Sequence, residues 1–231
     1  HSAAVHLVRR FIGRSDINGG RHFAEYFEIC GRNENRGGYG NIESLQPAHA
    51  ERLIREIDMK VLIAAGGTGG HIYPGIAVAK ELISRNAENE VLFVGTARGL
   101  ENKIVPDNGF QLALIHSAGL KSVGLAGMIK GLSVLPKSFL EARHLLKEFR
   151  PDVVVGAGGY VSGPVLLTAH FMGFPTLVMD SNALPGFTNL RLARFVDKAA
   201  LTFDDAVPFF GSKGIVTGNP VRSDFFSIPE R

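Results

Sequence analysis

Gly66-Gly67-Thr68-Gly69-Gly70-His71 is the stretch of this chain best equipped for chemistry. It follows the apolar run Val61-Leu62-Ile63-Ala64-Ala65 and opens an apparent helix. Glycines let a backbone come close to an anion, and the unpaired N–H groups of a helix's first turn carry partial positive charge toward it. The expected chemistry is phosphate binding, with the Thr68 hydroxyl as an extra donor. His71 falls where the helix begins. The positive end of a helix disfavours an imidazolium, so His71 is the candidate general base, a neutral ring accepting a proton near pH 7.

A second glycine-rich turn, Gly156-Ala157-Gly158-Gly159-Tyr160-Val161-Ser162-Gly163-Pro164, repeats this logic after Val153-Val154-Val155. One pyrophosphate could be held between the two turns, with Ser162 adding a neutral donor. A third segment, Met179-Asp180-Ser181-Asn182-Ala183-Leu184-Pro185-Gly186, carries small polar side chains suited to sugar hydroxyls. Asn182 offers both an amide donor and a carbonyl acceptor; the same residues also suit a plain turn or helix cap. Spacing excludes two familiar alternatives. Read from Gly67, the dinucleotide fingerprint fails at Ile72, where a third small residue belongs, and no Gly-x-x-x-x-Gly-Lys-Ser/Thr string occurs.

The elements that must position these residues alternate. Lys60–Ala65, Glu90–Gly95, Gln111–His116, Asp152–Gly156, Thr176–Met179, Ala199–Phe203 and Ile215–Thr217 read as strands. Helices are expected near 73–85, 124–148, 163–172 and 186–195, the second broken by Gly131 and Pro136. This predicts an α/β fold, a Rossmann-like parallel sheet with helices on both faces. Ligands of such sheets gather at the carboxyl ends of the strands, where all three polar segments fall.

The chain has 231 residues, 45% of them hydrophobic, enough for a substantial core. A net charge of +3 is too small to argue for nucleic acid. The single cysteine, Cys30, excludes an internal disulfide and a cysteine-based zinc cluster, and fits a reducing compartment. No run is long and apolar enough to span a bilayer, so membrane contact is expected to be peripheral. Residues 1–58, with short helical stretches at Ala4–Ile12 and Ala48–Ile57, show no core of their own and read as an extension; the regular pattern starts at Met59. Between 121 and 140, Lys121, Lys130 and Lys137 rim an apolar set that includes Met128, Ile129 and Leu132. Such a helix can lie on an anionic membrane or pack on its own sheet.

Together these motifs resemble the MurG family, glycosyltransferases that add N-acetylglucosamine from UDP-N-acetylglucosamine to an undecaprenyl-linked muramoyl-pentapeptide. The resemblance rests on Gly66-Gly67-Thr68-Gly69-Gly70-His71-x-x-Pro74, on Gly158-Gly159-Tyr160-Val161-Ser162-Gly163-Pro164, on Asn182 with Pro185-Gly186-x-x-Asn189, and on Gly218-Asn219-Pro220-Val221-Arg222. It implies the N-terminal half of a two-Rossmann-domain (GT-B type) enzyme. Residues 59–222 would form the acceptor-binding domain, and 223–231 the start of the connection to a donor-binding domain, without which the fragment is expected to be inactive.

The resemblance further implies substrate contacts from Gly158, Gly159, Tyr160 and Ser162, and nucleotide-sugar contacts from Thr68, Gly69, Gly70 and Arg222. Asn182 would touch the transferred sugar, and the 121–140 patch would meet the cytoplasmic face of the bacterial inner membrane. The expected partners are a nucleotide sugar, a lipid-linked diphosphate acceptor and an anionic membrane surface, with no nucleic acid. The donor would be UDP-N-acetylglucosamine; no cofactor or metal is implied, and the sequence has no Asp-x-Asp pair, only Asp204-Asp205. One departure stands out. Met179-Asp180-Ser181 replaces the family's His-Glu-Gln, so the roles of those three side chains do not carry over. A related transferase using another nucleotide sugar, or a non-catalytic lipid-diphosphate subunit with a separate partner chain, would share the same glycine turns.

Overall fold

The structure, a computed structural model, describes residues 58–117 and 124–220, the stretch 124–133 as backbone alone. The expected extension before Asp58, Lys121, the side chains of Met128, Ile129, Lys130 and Leu132, Arg222 and the 223–231 tail lie outside the described residues.

Seven strands alternate with helices: β1 (Lys60–Ala65), α1 (Gly69–Arg85), β2 (Glu90–Gly95), α2 (Glu101–Asp107), β3 (Gln111–Leu114), α3 (Gly124–Phe149), β4 (Val153–Gly158), α4 (Ser162–Phe171), β5 (Thr176–Asp180), α5 (Phe187–Leu192), β6 (Lys198–Leu201), α6 (Val207–Phe210) and β7 (Gly214–Val216). All pairings are parallel, in the order β3-β2-β1-β4-β5-β6-β7. Chain order reverses between β1 and β4. Their carboxyl ends, which carry the two glycine turns, are therefore neighbours, and a crevice opens where the helices leave toward opposite faces.

Alternation along β1 divides the core. Val61, Ile63 and Ala65 face Ile72, Ile76 and Leu82 of α1 and Val105 of α2. Leu62 and Ala64 face Ala142 and Leu146 of α3 and Val165, Leu166 and Ala169 of α4. Ile63, Leu62, Ile76 and Leu82 are fully buried, each worth about 1.5–3 kcal/mol. Strands covered on both faces read as unbroken apolar runs, which is why the sequence shows them so clearly.

Three expectations about the helices need correction. The helix expected near 73–85 starts at Gly69, so the glycines belong to its first turn. The 124–148 region is one continuous helix across Gly131 and Pro136. Its later turns bury Ala142 and Leu146 and bond the exit of β3, which outweighs the hydrogen bond that Pro136 cannot make. Finally, α2 went unread in the sequence, because seven residues containing Pro106 give little periodicity.

Candidate active site

At the crevice, β4 carries an irregularity: Ala64 pairs with Gly156 but Ala65 with Gly158, leaving Ala157 as an extra residue. Bulges of this kind re-aim the backbone beside functional sites. Here the bulge brings Gly158 under the His71 ring, so close that a Cβ on Gly158 would lie 2.4 Å from His71 Cδ2. Gly159 packs on the other turn, where a Cβ would lie 2.2 Å from the Gly66 carbonyl oxygen. Both residues have positive φ, 111° and 82°, and both are glycine because conformation and contact forbid anything else.

The two turns thus touch, instead of facing each other across a gap wide enough for a pyrophosphate. Ser162 is likewise internal. Its hydroxyl is fully buried, lies within bonding distance of the Ala64 carbonyl (3.0 Å) and the Gly158 carbonyl (2.8 Å), and accepts the Gly158 N–H (3.2 Å). It joins β1 to the second turn and has nothing left for a ligand. Tyr160 is exposed on the rim, its carbonyl accepting a bond from the Ser117 hydroxyl at 3.1 Å.

Gly69 and Gly70 differ from that pair. A Cβ on Gly70 would meet only Thr68 Oγ1, at 3.8 Å, and one on Gly69 only the movable Tyr73 ring, nearest atom 3.2 Å. Neither has the backbone conformation that requires glycine. As the first residues of α1 their N–H groups have no acceptor within the helix, and Thr68, the N-cap, does not cap them with its side chain. The Thr68 hydroxyl instead lies 3.2 Å from His71 Nδ1. His71 Nε2 has no hydrogen-bond partner among the described residues, and the residue is half-buried.

Two buried carboxylates organise the loops on either side: Glu101, which the sequence does not single out, and Asp180, which it offers as a turn or cap former. Glu101, completely buried, accepts the N–H groups of Gly67 (3.0 Å) and Thr96 (2.8 Å) and the Thr96 hydroxyl (2.9 Å). Asp180, 4% exposed, accepts the backbone N–H of Asn182 (2.9 Å), its side-chain amide (3.0 Å), the Gly186 N–H (3.0 Å) and the Asn189 amide (2.8 Å). The carboxylate at 180 thus folds the β5–α5 loop. Ser181 bonds Asn219 at 3.2 Å, bringing the Gly218-Asn219-Pro220 motif alongside. Asn182 is exposed on the same rim, its amide nitrogen turned to Asp180 and its carbonyl oxygen without a partner among the described residues. Buried Asn189 gives its amide to Asp180 and to the Met179 carbonyl.

Beyond the exit of β3, Glu141 accepts the His116 N–H (2.7 Å) and lies 2.8 Å from its Nδ1, while Lys137 Nζ is 3.1 Å from its Nε2. Burial pushes the Glu141 carboxyl up, but the His116 hydrogen bonds and the positive charge of His116 and Lys137 outweigh it and hold the group below its ordinary value. Lys137, expected in a membrane patch, is exposed but tied into this cluster. Among the described residues no helix is long and apolar enough to cross a membrane, and no three His, Cys, Asp or Glu side chains are grouped as a metal would need.

A doubly wound parallel sheet with glycine turns and an imidazole at its switch point is a Rossmann-type ligand-binding domain. The chain belongs to the glycosyltransferase family 28 N-terminal domain family, whose sequence profile matches residues 61–201. A UDP-N-acetylglucosamine--N-acetylmuramyl-(pentapeptide) pyrophosphoryl-undecaprenol N-acetylglucosamine transferase of Syntrophus aciditrophicus is 47% identical over 170 residues, 73% of this chain and 47% of that protein. The enzyme of the same name from Myxococcus xanthus is 50% identical over 165 residues, 71% of this chain and 43% of that protein. The chain spans under half the length of either relative. Acinetobacter baumannii MurG superposes with a TM-score of 0.59 at 32% identity, over 71% of this chain and 46% of that one.

Proposed function

We propose that this chain is the acceptor-side half of an inverting transferase that moves N-acetylglucosamine from UDP-N-acetylglucosamine to a membrane lipid-diphosphate muramoyl-pentapeptide in peptidoglycan synthesis. Gly70 carries the reading. The fold leaves room for a side chain there, yet the chain keeps glycine beside unbonded N–H groups and an imidazole, which is what close approach by a diphosphate calls for. With Nδ1–H donating to Thr68 Oγ1, Nε2 of His71 is the basic nitrogen. It would take the proton of the acceptor sugar's hydroxyl as that oxygen attacks the anomeric carbon and the bond to UDP breaks. The amides of Gly69 and Gly70 and the dipole of α1 would meet the diphosphate's charge, and Asn182 with its open carbonyl would hold the sugar. The reading calls for no resident cofactor, and for peripheral attachment to the cytoplasmic face of the inner membrane through the 121–140 segment.

The test supplies the donor-binding half of a full-length relative together with this chain and follows UDP release with and without lipid acceptor. Acceptor-dependent release is expected, with His71→Ala lowering turnover more than acceptor binding. Release that does not depend on the acceptor, or full turnover with another nucleotide sugar, would overturn the substrate assignment. Sedimentation with anionic vesicles at low and high salt tests the membrane site; no binding at low salt returns the segment to the role of an ordinary sheet-covering helix.

A further inference from the structure

We infer that Glu101 is a built-in anion that holds the Gly67 amide and keeps external phosphate off it, confining a ligand to the amides of Gly69 and Gly70. The second half of this statement rests on the diphosphate reading above; the first stands on geometry alone. Glu101 is one of two buried carboxylates among the described residues and the only one completely sealed from solvent. No cation faces it among the described residues: its three partners are the neutral donors of Gly67 and Thr96. A buried carboxylate without a counter-charge is costly unless dipoles replace water around it. Two helix ends supply them, since Glu101 is the first residue of α2 and its Oε2 bonds the turn leading into α1.

The surrounding chain is shaped to this side chain. A Cβ on Gly99 would lie 1.8 Å from Oε2, one on Gly95 2.4 Å from Cγ, and one on Gly66 2.9 Å from Oε1. Three glycines, one at the end of β2 and one in each of two loops, therefore make room for one carboxylate, which ties the β2–α2 loop to the first glycine turn. Gly67 itself is exposed and has a φ of 89°, so without this bond its N–H would be open to solvent or to an anion. With the bond in place, the amide is occupied, and a fixed negative charge sits behind it. A diphosphate approaching the turn is repelled there and meets unbonded donors only one helical step on.

Backbone amide NMR of the whole chain tests this, with inorganic pyrophosphate as the probe. In the wild type the Gly67 amide should exchange with solvent at least about tenfold more slowly than that of Gly70, the protection expected of a hydrogen bond to a charged group. Pyrophosphate should shift the amides of Gly69 and Gly70 and leave Gly67 in place. In Glu101→Gln the one remaining oxygen suits the two Thr96 donors, so Gly67 should lose its protection while Thr96 keeps it, and pyrophosphate should then move Gly67 too. Equal exchange of Gly67 and Gly70 in the wild type overturns the hold on Gly67, and that measurement needs no variant to fold. A Gly67 shift in the wild-type titration overturns the exclusion of phosphate. If pyrophosphate moves no loop amide while Gly67 stays protected, the diphosphate reading fails and the hold of Glu101 on Gly67 stands.

Discussion

The contact between the two glycine turns can be weighed by adding a single methyl group. In Gly159→Ala the new Cβ falls 2.2 Å from the Gly66 carbonyl oxygen, short of ordinary contact by about 1 Å, and neither a backbone oxygen nor a Cβ fixed by its own backbone can rotate away. Two costs combine: about 1–2 kcal/mol for an L-residue at positive φ, and about 1–3 kcal/mol for forcing packed groups apart. Gly109→Ala isolates the first, because Gly109 has the same φ of 82° with nothing within 4 Å of its Cβ position. For a domain of this size 1 kcal/mol is roughly 2–4 °C of melting temperature. Gly109→Ala should therefore lower the midpoint by roughly 2–8 °C and Gly159→Ala by more, roughly 4–20 °C, in thermal melts followed by circular dichroism. Equal losses in the two variants would refute the argument that the turns bear on each other, and with it the account of why Gly159 is glycine.

Gly70→Ala should leave the melting temperature unchanged or raise it, because alanine favours a helix over glycine by up to about 1 kcal/mol, while pyrophosphate affinity measured by calorimetry falls. Asp180→Ala removes an acceptor from four donors, two of them on Asn182, and should cost about 2–4 kcal/mol in urea unfolding. The Glu141 carboxyl is held below its ordinary value, so its stabilising effect is complete above the unfolded pKa and is lost as pH falls through the lowered folded one. The His116 amide should accordingly lose exchange protection in acid, below about pH 4, and Glu141→Ala should remove that pH dependence.

What could be read from the sequence depended on how local the signal was. β1 and β2 were legible residue by residue, since a strand covered on both faces, as β1 is throughout and β2 in its second half, is an uninterrupted apolar run. The start of α1 was misplaced because two glycines look like loop and Pro74 looks like a first helical turn, although the unbonded amides of that turn are the point of the glycines. β4 was ended too early for the same reason, with Gly158 still paired to Ala65. The polar residues divide similarly. Thr68, His71 and Asn182 stand on the rim where their spacing put them, but the burial of Ser162 could be seen only once β1 lay beside β4. Glu101 looked like an ordinary charged residue in a weakly patterned stretch; nothing local reveals a carboxylate enclosed by glycines from two distant loops.

The reversal of strand order between β1 and β4 also sets the order of events as the chain folds. Lys60 and Asp152, which exchange bonds at the foot of that pair, are 92 positions apart, whereas β1 can meet β2 as soon as α1 has turned back. Closing so long a loop is slow, and non-local parallel pairing comes late. Until β4 arrives, β1 is an open edge with its bonding groups on that side unpaired and Leu62 and Ala64 short of the α4 part of their cover, a template for pairing with another molecule. The Ser162 hydroxyl reaches Ala64, and Gly159 reaches Gly66, in the same step that closes this edge. A chain ending short of β4 would therefore be open to aggregation, and one that has gained it acquires both its ligand rim and its protection from aggregation in a single docking event.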